Sequence, residues 1–170
     1  RKCSLSKFMG SINRPCRSMF EGESAKYGND GMFDLNVVSG KMGKDPEPFY
    51  EIDLGLNTYN DFLIKSVRVW NTVDITQQWV IMPFWIMLFS NENSLTDLPR
   101  SIQDGLKKSI GSKKFANPTN GKTMYEWVVE RNDMHARYVR VQMVETRFLH
   151  VTEVEVFALP KDRQCPGGVI

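Results

Sequence analysis

Apolar and polar residues alternate along several short segments of the chain, with the period of two that is typical of β-strands. Between residues 137 and 144, Val139 and Val141 fall on one face and Arg140 on the other. This pattern is typical of antiparallel strands with one solvated face. The mostly apolar segment 83–90 predicts a strand that is covered on both faces. The segments that predict strands are 49–54, 64–70, 83–90, 123–129, 137–144 and 151–157.

The segment 94–110 departs from this pattern, because its apolar residues recur every three or four positions, as on one face of a helix. They are Leu95, Leu98, Ile102, Leu106 and Ile110. We expect Pro99 in a first helical turn and Gly111 at the end of the helix, although Gly105 weakens the helix. The segment therefore predicts a short helical insertion that packs as a lid over one edge of a sandwich.

The remaining segments predict long connections. Residues 20–43 are rich in Gly, Asp, Asn and Ser, and residues 1–13 resemble an arm. Short strands, long loops and little helix predict an all-β fold, a β-sandwich or jelly roll. With 170 residues, of which 41% are hydrophobic, residues 1–170 are expected to form a single domain. Residues 159–170 would be its C-terminal tail.

The charge balance bears on possible partners. The chain carries 22 basic and 20 acidic residues, a net charge of +2, which argues against a dedicated nucleic-acid binder. The longest apolar run, residues 79–89, is shorter than the roughly 20 residues that a membrane-spanning helix needs. The chain begins with Arg1, so we expect either a removed leader or a domain excised from a longer protein.

The three cysteines are Cys3, Cys16 and Cys165, and their spacing matches no zinc motif. We expect two of them to form one disulfide and the third to be buried or unpaired. A bridge between Cys3 and Cys165 would join the chain ends and stabilise the fold by roughly 4–5 kcal/mol. Such a bridge implies an oxidising compartment.

No catalytic motif is present: the sequence lacks GxSxG, HExxH, GxxxxGK[ST] and GxGxxG. His135 and His150, the two histidines, lie in segments expected to be turns or links between strands. We therefore expect a protein that is not an enzyme.

Several segments, in order, resemble the discoidin-like domain, also called the coagulation-factor type C domain, and most of all its fucolectin branch. The resemblance extends from about residue 12 to residue 158. The matching segments are Asn-Asp-Gly at 29–31, PFYEIDLG at 48–55, IKSVRVWN at 64–71, PFWI at 83–86, RYVRV at 137–141 and LHVTEVEVF at 149–157. The resemblance implies an eight-stranded antiparallel jelly-roll β-sandwich of the galactose-binding-domain-like type. Its first and last strands would lie side by side, and loops at one end would bind the ligand.

The resemblance also implies a structural calcium site, because related lectins hold such an ion near the Asp-Gly turn. Calcium takes six to eight oxygen ligands, carboxylates and carbonyls among them. The alternative is that Asp30 caps a turn and Glu153 is a solvated strand residue. The matching positions in this chain are Tyr27, Asp30, Met32, Ser39, Thr152 and Glu153.

The chain departs from the sugar-binding members of that family, which use a His and two Arg residues on neighbouring loops. Thr72 stands at the first Arg position, the second falls on Gln78 or Trp79, and no His lies between residues 31 and 50. Amides and an aromatic ring are still suited to a glycan, or to a protein surface. Trp79 has a further alternative, a core position at the start of the next strand. The candidate ligand-binding residues are Asn71, Thr72, Asp74, Gln77, Gln78 and Trp79, with Lys41 and Lys44 opposite.

We therefore expect a secreted or cell-surface recognition and adhesion domain that binds a glycan or glycoprotein at a calcium-supported site. The alternative is a protein–protein interaction module of a larger extracellular protein or complex that has lost sugar binding. An accessory domain of an enzyme is a third class. Insertion into a membrane is not expected, because Asp30 and Asp34 flank the apolar residues Met32, Phe33 and Leu35.

Overall fold

The computed structural model describes residues 16–18, 37–39, 47–55, 62–72, 81, 83–90, 99–116, 122–144 and 149–160. Within these residues the chain forms ten strands and one helix. In chain order they are β1 (Cys16–Ser18), β2 (Val37–Ser39), β3 (Phe49–Asp53), β4 (Phe62–Asn71), β5 (Phe84–Phe89), α1 (Ile102–Lys108), β6 (Gly111–Phe115), β7 (Met124–Val128), β8 (His135–Ala136), β9 (Tyr138–Met143) and β10 (Leu149–Pro160).

The strands form two antiparallel sheets that enclose one hydrophobic core. The first sheet has the order β1-β3-β9-β5-β6, and the second has the order β2-β10-β4-β7, with β8 added beside β4. Alternate residues of both sheets point into the core, among them Ile52, Ile86, Val141, Val69 and Val154. The all-β sandwich predicted from the alternating segments is therefore confirmed.

All six strands predicted from hydrophobic pattern occur, as β3, β4, β5, β7, β9 and β10. Strand β10 is longer than predicted and continues to Pro160, into the segment expected as a C-terminal tail. The sequence pattern did not predict the four strands β1, β2, β6 and β8. Strand β6, with the sequence Gly-Ser-Lys-Lys-Phe, is the edge strand of the first sheet and exposes its middle residues, so it carries little apolar signal.

The expectation that the first and last strands pair is wrong for the described strands. Strand β1 pairs with β3 in the first sheet, whereas β10 pairs with β2 and β4 in the second. The last strand occupies the interior of its sheet, with neighbours on both sides.

The predicted helical insertion is present but shorter than expected. Ser101 caps α1, and its Oγ accepts a hydrogen bond from the backbone N–H of Asp104 at 3.2 Å. Pro99 lies outside the helix, not in its first turn. Gly111 does not end the helix either; Ser109 is the C-cap, and Gly111 begins β6.

The helix packs across the outer face of the first sheet. A Cβ atom on Gly105 would lie 3.0 Å from the Met87 sulfur, so glycine allows α1 to approach β5 closely. Met87, Phe89 and Tyr138 form a second, smaller apolar cluster, with Leu106 and Trp85 packed against it. On β9, this face was predicted to be solvated. It is buried because α1 and the residues leading into it cover it.

The same cover buries polar side chains. Arg140 and Gln142 on β9 are both fully buried. Gln142 Nε2 donates to the carbonyl oxygens of Glu47 at 2.9 Å and Arg100 at 2.6 Å, and Arg140 donates to the carbonyl oxygen of Pro99. These bonds satisfy backbone groups of the covering segment and tie it to the sheet.

No helix among the described residues is long and apolar enough to cross a membrane.

Candidate functional site

The candidate ligand site begins at the end of β4, where the chain leaves the second sheet. Asn71 is the last residue of β4, and Thr72 follows it; both are buried. The Asn71 side chain accepts a hydrogen bond from the Thr72 backbone N–H at 2.9 Å and donates one to the Lys122 carbonyl oxygen at 3.3 Å. These bonds fix the direction in which the chain leaves β4.

Asn71 and Thr72 are both buried, so their side chains belong to the interior of the fold. Thr72, at the position expected to carry the first Arg of the sugar-binding members, is 1% exposed. In this chain the position therefore holds a buried side chain that does not face solvent. The other predicted ligand residues, Asp74, Gln77, Gln78, Trp79, Lys41 and Lys44, lie outside the described residues.

The candidate metal site includes a β-bulge in β10. Val151 lies opposite Asn71 and Glu153 lies opposite Trp70, so Thr152 is the extra residue of β10. The Thr152 hydroxyl donates to the Asn71 carbonyl oxygen at 2.8 Å. The bulge thus connects the candidate metal residues directly to the end of β4, where the candidate ligand site begins.

Glu153 is completely buried, contrary to the alternative in which it is a solvated strand residue. A buried carboxylate is stable as an anion only if donors or a cation surround it. On the neighbouring strand β2, Val37 lies opposite Val151. The chain therefore enters β2 close to Thr152 and Glu153.

Ser39 is the last residue of β2. Its partner across the β2–β10 ladder is Leu149. Leu149 is four residues from Glu153, about 13 Å along a strand. Tyr27, Asp30 and Met32 lie outside the described residues, as do Cys3 and Cys165.

Among the described residues, no three His, Cys, Asp or Glu side chains come together in a way that could hold a metal ion. A metal site at Glu153 would thus need ligands from backbone carbonyls or from residues outside the described part. The family resemblance implied such a mixed set of ligands.

The outer face of the second sheet carries a row of polar and aromatic contacts that the sequence did not predict. Trp70 Nε1 donates to Glu155 Oε2 at 2.7 Å, and Arg68 Nε donates to Glu126 Oε1 at 2.8 Å. The Arg68 guanidinium also lies 4.7 Å from the centre of the Phe157 ring. Cross-strand register is the information that would have revealed these pairs, and a single sequence does not supply it.

The first sheet also contains a buried acid, Asp53, in an ion pair. Arg137 binds Asp53 through two hydrogen bonds, of 2.8 and 2.9 Å, and the Gly55 backbone N–H donates to Asp53 at 2.9 Å. All three donors bind the Asp53 carboxylate at the end of β3. The arrangement is that of a structural ion pair.

No protein-family model matches the chain, and no curated protein matches it in sequence. Solved structures do match. The lectin domain of lectinolysin, solved with the Lewis b antigen, superposes with a TM-score of 0.67 at 18% identity, covering 89% of this chain and 96% of that domain. A fucose-binding module from Streptococcus pneumoniae gives a TM-score of 0.64 at 18% identity, covering 88% of this chain and 94% of that module.

A fucolectin from striped bass (Morone saxatilis) serum gives a TM-score of 0.62 at 17% identity, covering 91% of this chain and 48% of that protein. The chain therefore has the galactose-binding-domain-like fold of the discoidin type that the resemblance implied. These similar structures are carbohydrate-binding modules rather than enzymes.

Proposed function

We propose that this chain is an extracellular recognition domain that binds carbohydrate through the loop that follows β4. The observation that carries the proposal is the hydrogen-bonded end of β4, where Asn71, Thr72 and Thr152 fix the start of that loop. Rigid support of this kind lowers the entropy that a binding loop loses when it takes up a ligand. The sugar-binding modules with the same fold support the choice of ligand class.

The loop sequence suits a neutral sugar. Asp74, Gln77 and Gln78 supply acceptors and amide donors for hydroxyl groups, and Trp79 supplies an aromatic ring for the apolar face of a pyranose. No Arg lies between Asn71 and Trp79. We therefore propose hydroxyl recognition by amides and a carboxylate, in place of the forked guanidinium contacts of the family's fucose binders.

A calcium ion bound at Glu153 is part of the proposal. The donor chemistry fits, because Glu153 offers a buried carboxylate and the bulge at Thr152 interrupts the backbone ladder beside it. When bound, the ion would compensate the buried charge. Glu153 and Thr152 would hold the ion beside the end of β4.

Binding and adhesion, without catalysis, are the proposed activities, and secretion or display at a cell surface is the proposed location. The alternative is a protein partner that binds the same loop. Trp79 favours this alternative as well, since Trp is a frequent anchor of protein interfaces.

The test is a glycan array probed with the purified domain in millimolar calcium and again with a chelator. We expect selective binding that weakens in chelator and is lost in the Asp74→Ala and Gln77→Ala variants. Lys65→Ala is the matched control, because Lys65 lies on β4 and bonds to Asn132, away from the loop. A blank array from a folded sample would overturn the carbohydrate proposal and favour a protein partner.

A further inference from the structure

The helix α1 and the edge strand β6 present a concentration of positive charge. Arg100, Lys107, Lys108 and Lys114 are all exposed, and Asp104 is the one acid between residues 99 and 116. Asp104 lies 3.5 Å from Lys107. A hydrogen bond from Ser101, with the nearby charges of Lys107 and Lys108, lowers the pKa of Asp104. Asp104, together with Glu47 at the start of α1, offsets only part of the positive charge. We call these four basic residues, together with Trp85, the basic surface.

Trp85 lies within this surface, on the same face of the sheet as α1. The register places Gln142, Trp85 and Lys114 side by side on β9, β5 and β6. The Lys114 ammonium lies 5.8 Å from the centre of the half-buried Trp85 ring. On the other side, Gln142 Nε2 donates to the Arg100 carbonyl oxygen at 2.6 Å, which brings the backbone of Arg100 to the same row.

The support beneath these side chains is firmly held. Glu47 Oε2 accepts a hydrogen bond at 2.7 Å from the Ile102 backbone N–H, at the start of α1. Arg140 and Gln142 bind the carbonyl oxygens of Pro99 and Arg100, and Ile110 N–H donates to the Leu88 carbonyl oxygen at 2.9 Å. The segment from 99 to 111 is therefore fixed to the sheet at both ends, and its charges are presented by a rigid base.

We propose that the basic surface binds an anionic polysaccharide, one that carries sulfate or uronate groups. The cationic side chains complement the repeated negative charges of such a polymer, and the Trp85 ring offers an apolar platform for one pyranose. Single-stranded nucleic acid is a poorer fit, because its binders stack successive bases on several aromatic residues. A single half-buried ring, Trp85, lies among the described cations of this surface.

This surface is separate from the loop after β4. It lies on the first sheet, whereas Asn71 ends a strand of the second sheet. The two sites would bind different chemistry, neutral hydroxyls in one case and fixed negative charges in the other. A long acidic glycan that also carries a neutral terminal sugar would then be able to contact both, with a gain in avidity.

The test measures binding of the folded domain to heparin, to polygalacturonate and to neutral dextran. Heparin carries sulfate as well as carboxylate, whereas polygalacturonate carries carboxylate alone, so binding to heparin without binding to polygalacturonate would assign recognition to sulfate. The test variant combines Arg100→Gln, Lys107→Gln, Lys108→Gln and Lys114→Gln. The matched control combines Lys65→Gln, Lys113→Gln, Lys122→Gln and Arg131→Gln, which removes the same charge from other surfaces. Lys113 is a strict control. It is next to Lys114 on β6, but its cross-strand partner is the core residue Ile86, so it lies on the other face of the sheet.

We expect at least one acidic polymer to bind, with affinity that falls as salt rises, and dextran not to bind. The test variant should weaken binding by at least about tenfold, and the control by less than about twofold. Equal losses in test and control variants would overturn the proposal, as would the absence of acidic-polymer binding. Equal affinity for a single-stranded oligonucleotide or for anionic vesicles would also overturn it, because binding would then follow charge alone.

Discussion

The Arg140 guanidinium of β9 lies 2.7 Å from the Glu51 carboxylate of β3, and neither side chain has any exposed surface. The two residues are direct cross-strand partners. Arg140 also lies over two aromatic rings, 4.4 Å from the centre of Phe49 and 5.1 Å from that of Phe89. The pair thus forms the centre of the polar layer between the first sheet and α1.

Removing one partner of this pair should be costly. Glu51→Gln leaves the Arg140 charge buried without its carboxylate, and we expect it to destabilise the fold by about 3–5 kcal/mol. Urea unfolding followed by fluorescence measures the loss. The double variant Glu51→Leu, Arg140→Met should lose much less than the sum of the single variants. A loss below about 1 kcal/mol in Glu51→Gln would contradict the role of the pair.

The pair between Asp53 and Arg137 should matter more than the one between Asp133 and Arg131. The Asp53 side chain is 8% exposed, whereas that of Asp133 is 66% exposed. We expect Asp53→Asn to cost about 1–3 kcal/mol, because it weakens a bidentate pair and a backbone contact in a buried place. Asp133→Asn should leave the unfolding midpoint unchanged, although a hydrogen bond from Arg131 lowers the pKa of Asp133. Equal effects of the two substitutions would refute this ranking.

Gly105 should tolerate a methyl group but no larger side chain. Alanine gains about 1 kcal/mol in helix propensity, and the atom that it would crowd, at 3.0 Å, is the flexible Met87 sulfur. Gly105→Ala should therefore be close to neutral. Gly105→Val should lose about 1–3 kcal/mol through overpacking. Thermal unfolding of both variants measures the difference, and a stable Gly105→Val protein would mean that α1 does not pack as described.

The pattern of the sequence was enough to predict the five interior strands but, among the edge strands, only β7. Alternation identified β9 because Val139 and Val141 face the core. It could not identify β6, in which Lys113 and Lys114 are exposed at the sheet edge. Local sequence also misjudged the outer face of β9. Arg140 and Gln142 look solvated in a strand pattern, and only the tertiary packing of α1 buries them.

The candidate site was predictable to a smaller extent. The resemblance identified Thr152 and Glu153 together, and the structure places them on one bulge beside the end of β4. It also implied Ser39, whose partner across the β2–β10 ladder is Leu149. Register depends on pairing between distant segments. The transfer of family positions to a single sequence is therefore least dependable where loop length varies.

Calcium should stabilise the protein through Glu153. We expect calcium to raise the melting temperature, because a ligand that binds only the folded state adds its binding free energy. Glu153→Gln should abolish this increase and should also abolish calcium binding in calorimetry. Glu126→Gln is the control, since Glu126 pairs with Arg68 on the outer face of the second sheet. An increase that persists undiminished in Glu153→Gln would exclude Glu153 as a ligand.

The most direct test of carbohydrate recognition is to map where a sugar binds. Backbone amide signals of the isotope-labelled domain would be followed by NMR during titration with the best neutral glycan from the array, in calcium. We predict saturable shifts concentrated at residues 71–79 and at Thr152 and Glu153, with α1 and β6 unaffected. Shifts confined to other surfaces, or none at millimolar sugar, would contradict the assignment of the loop after β4 as the carbohydrate site.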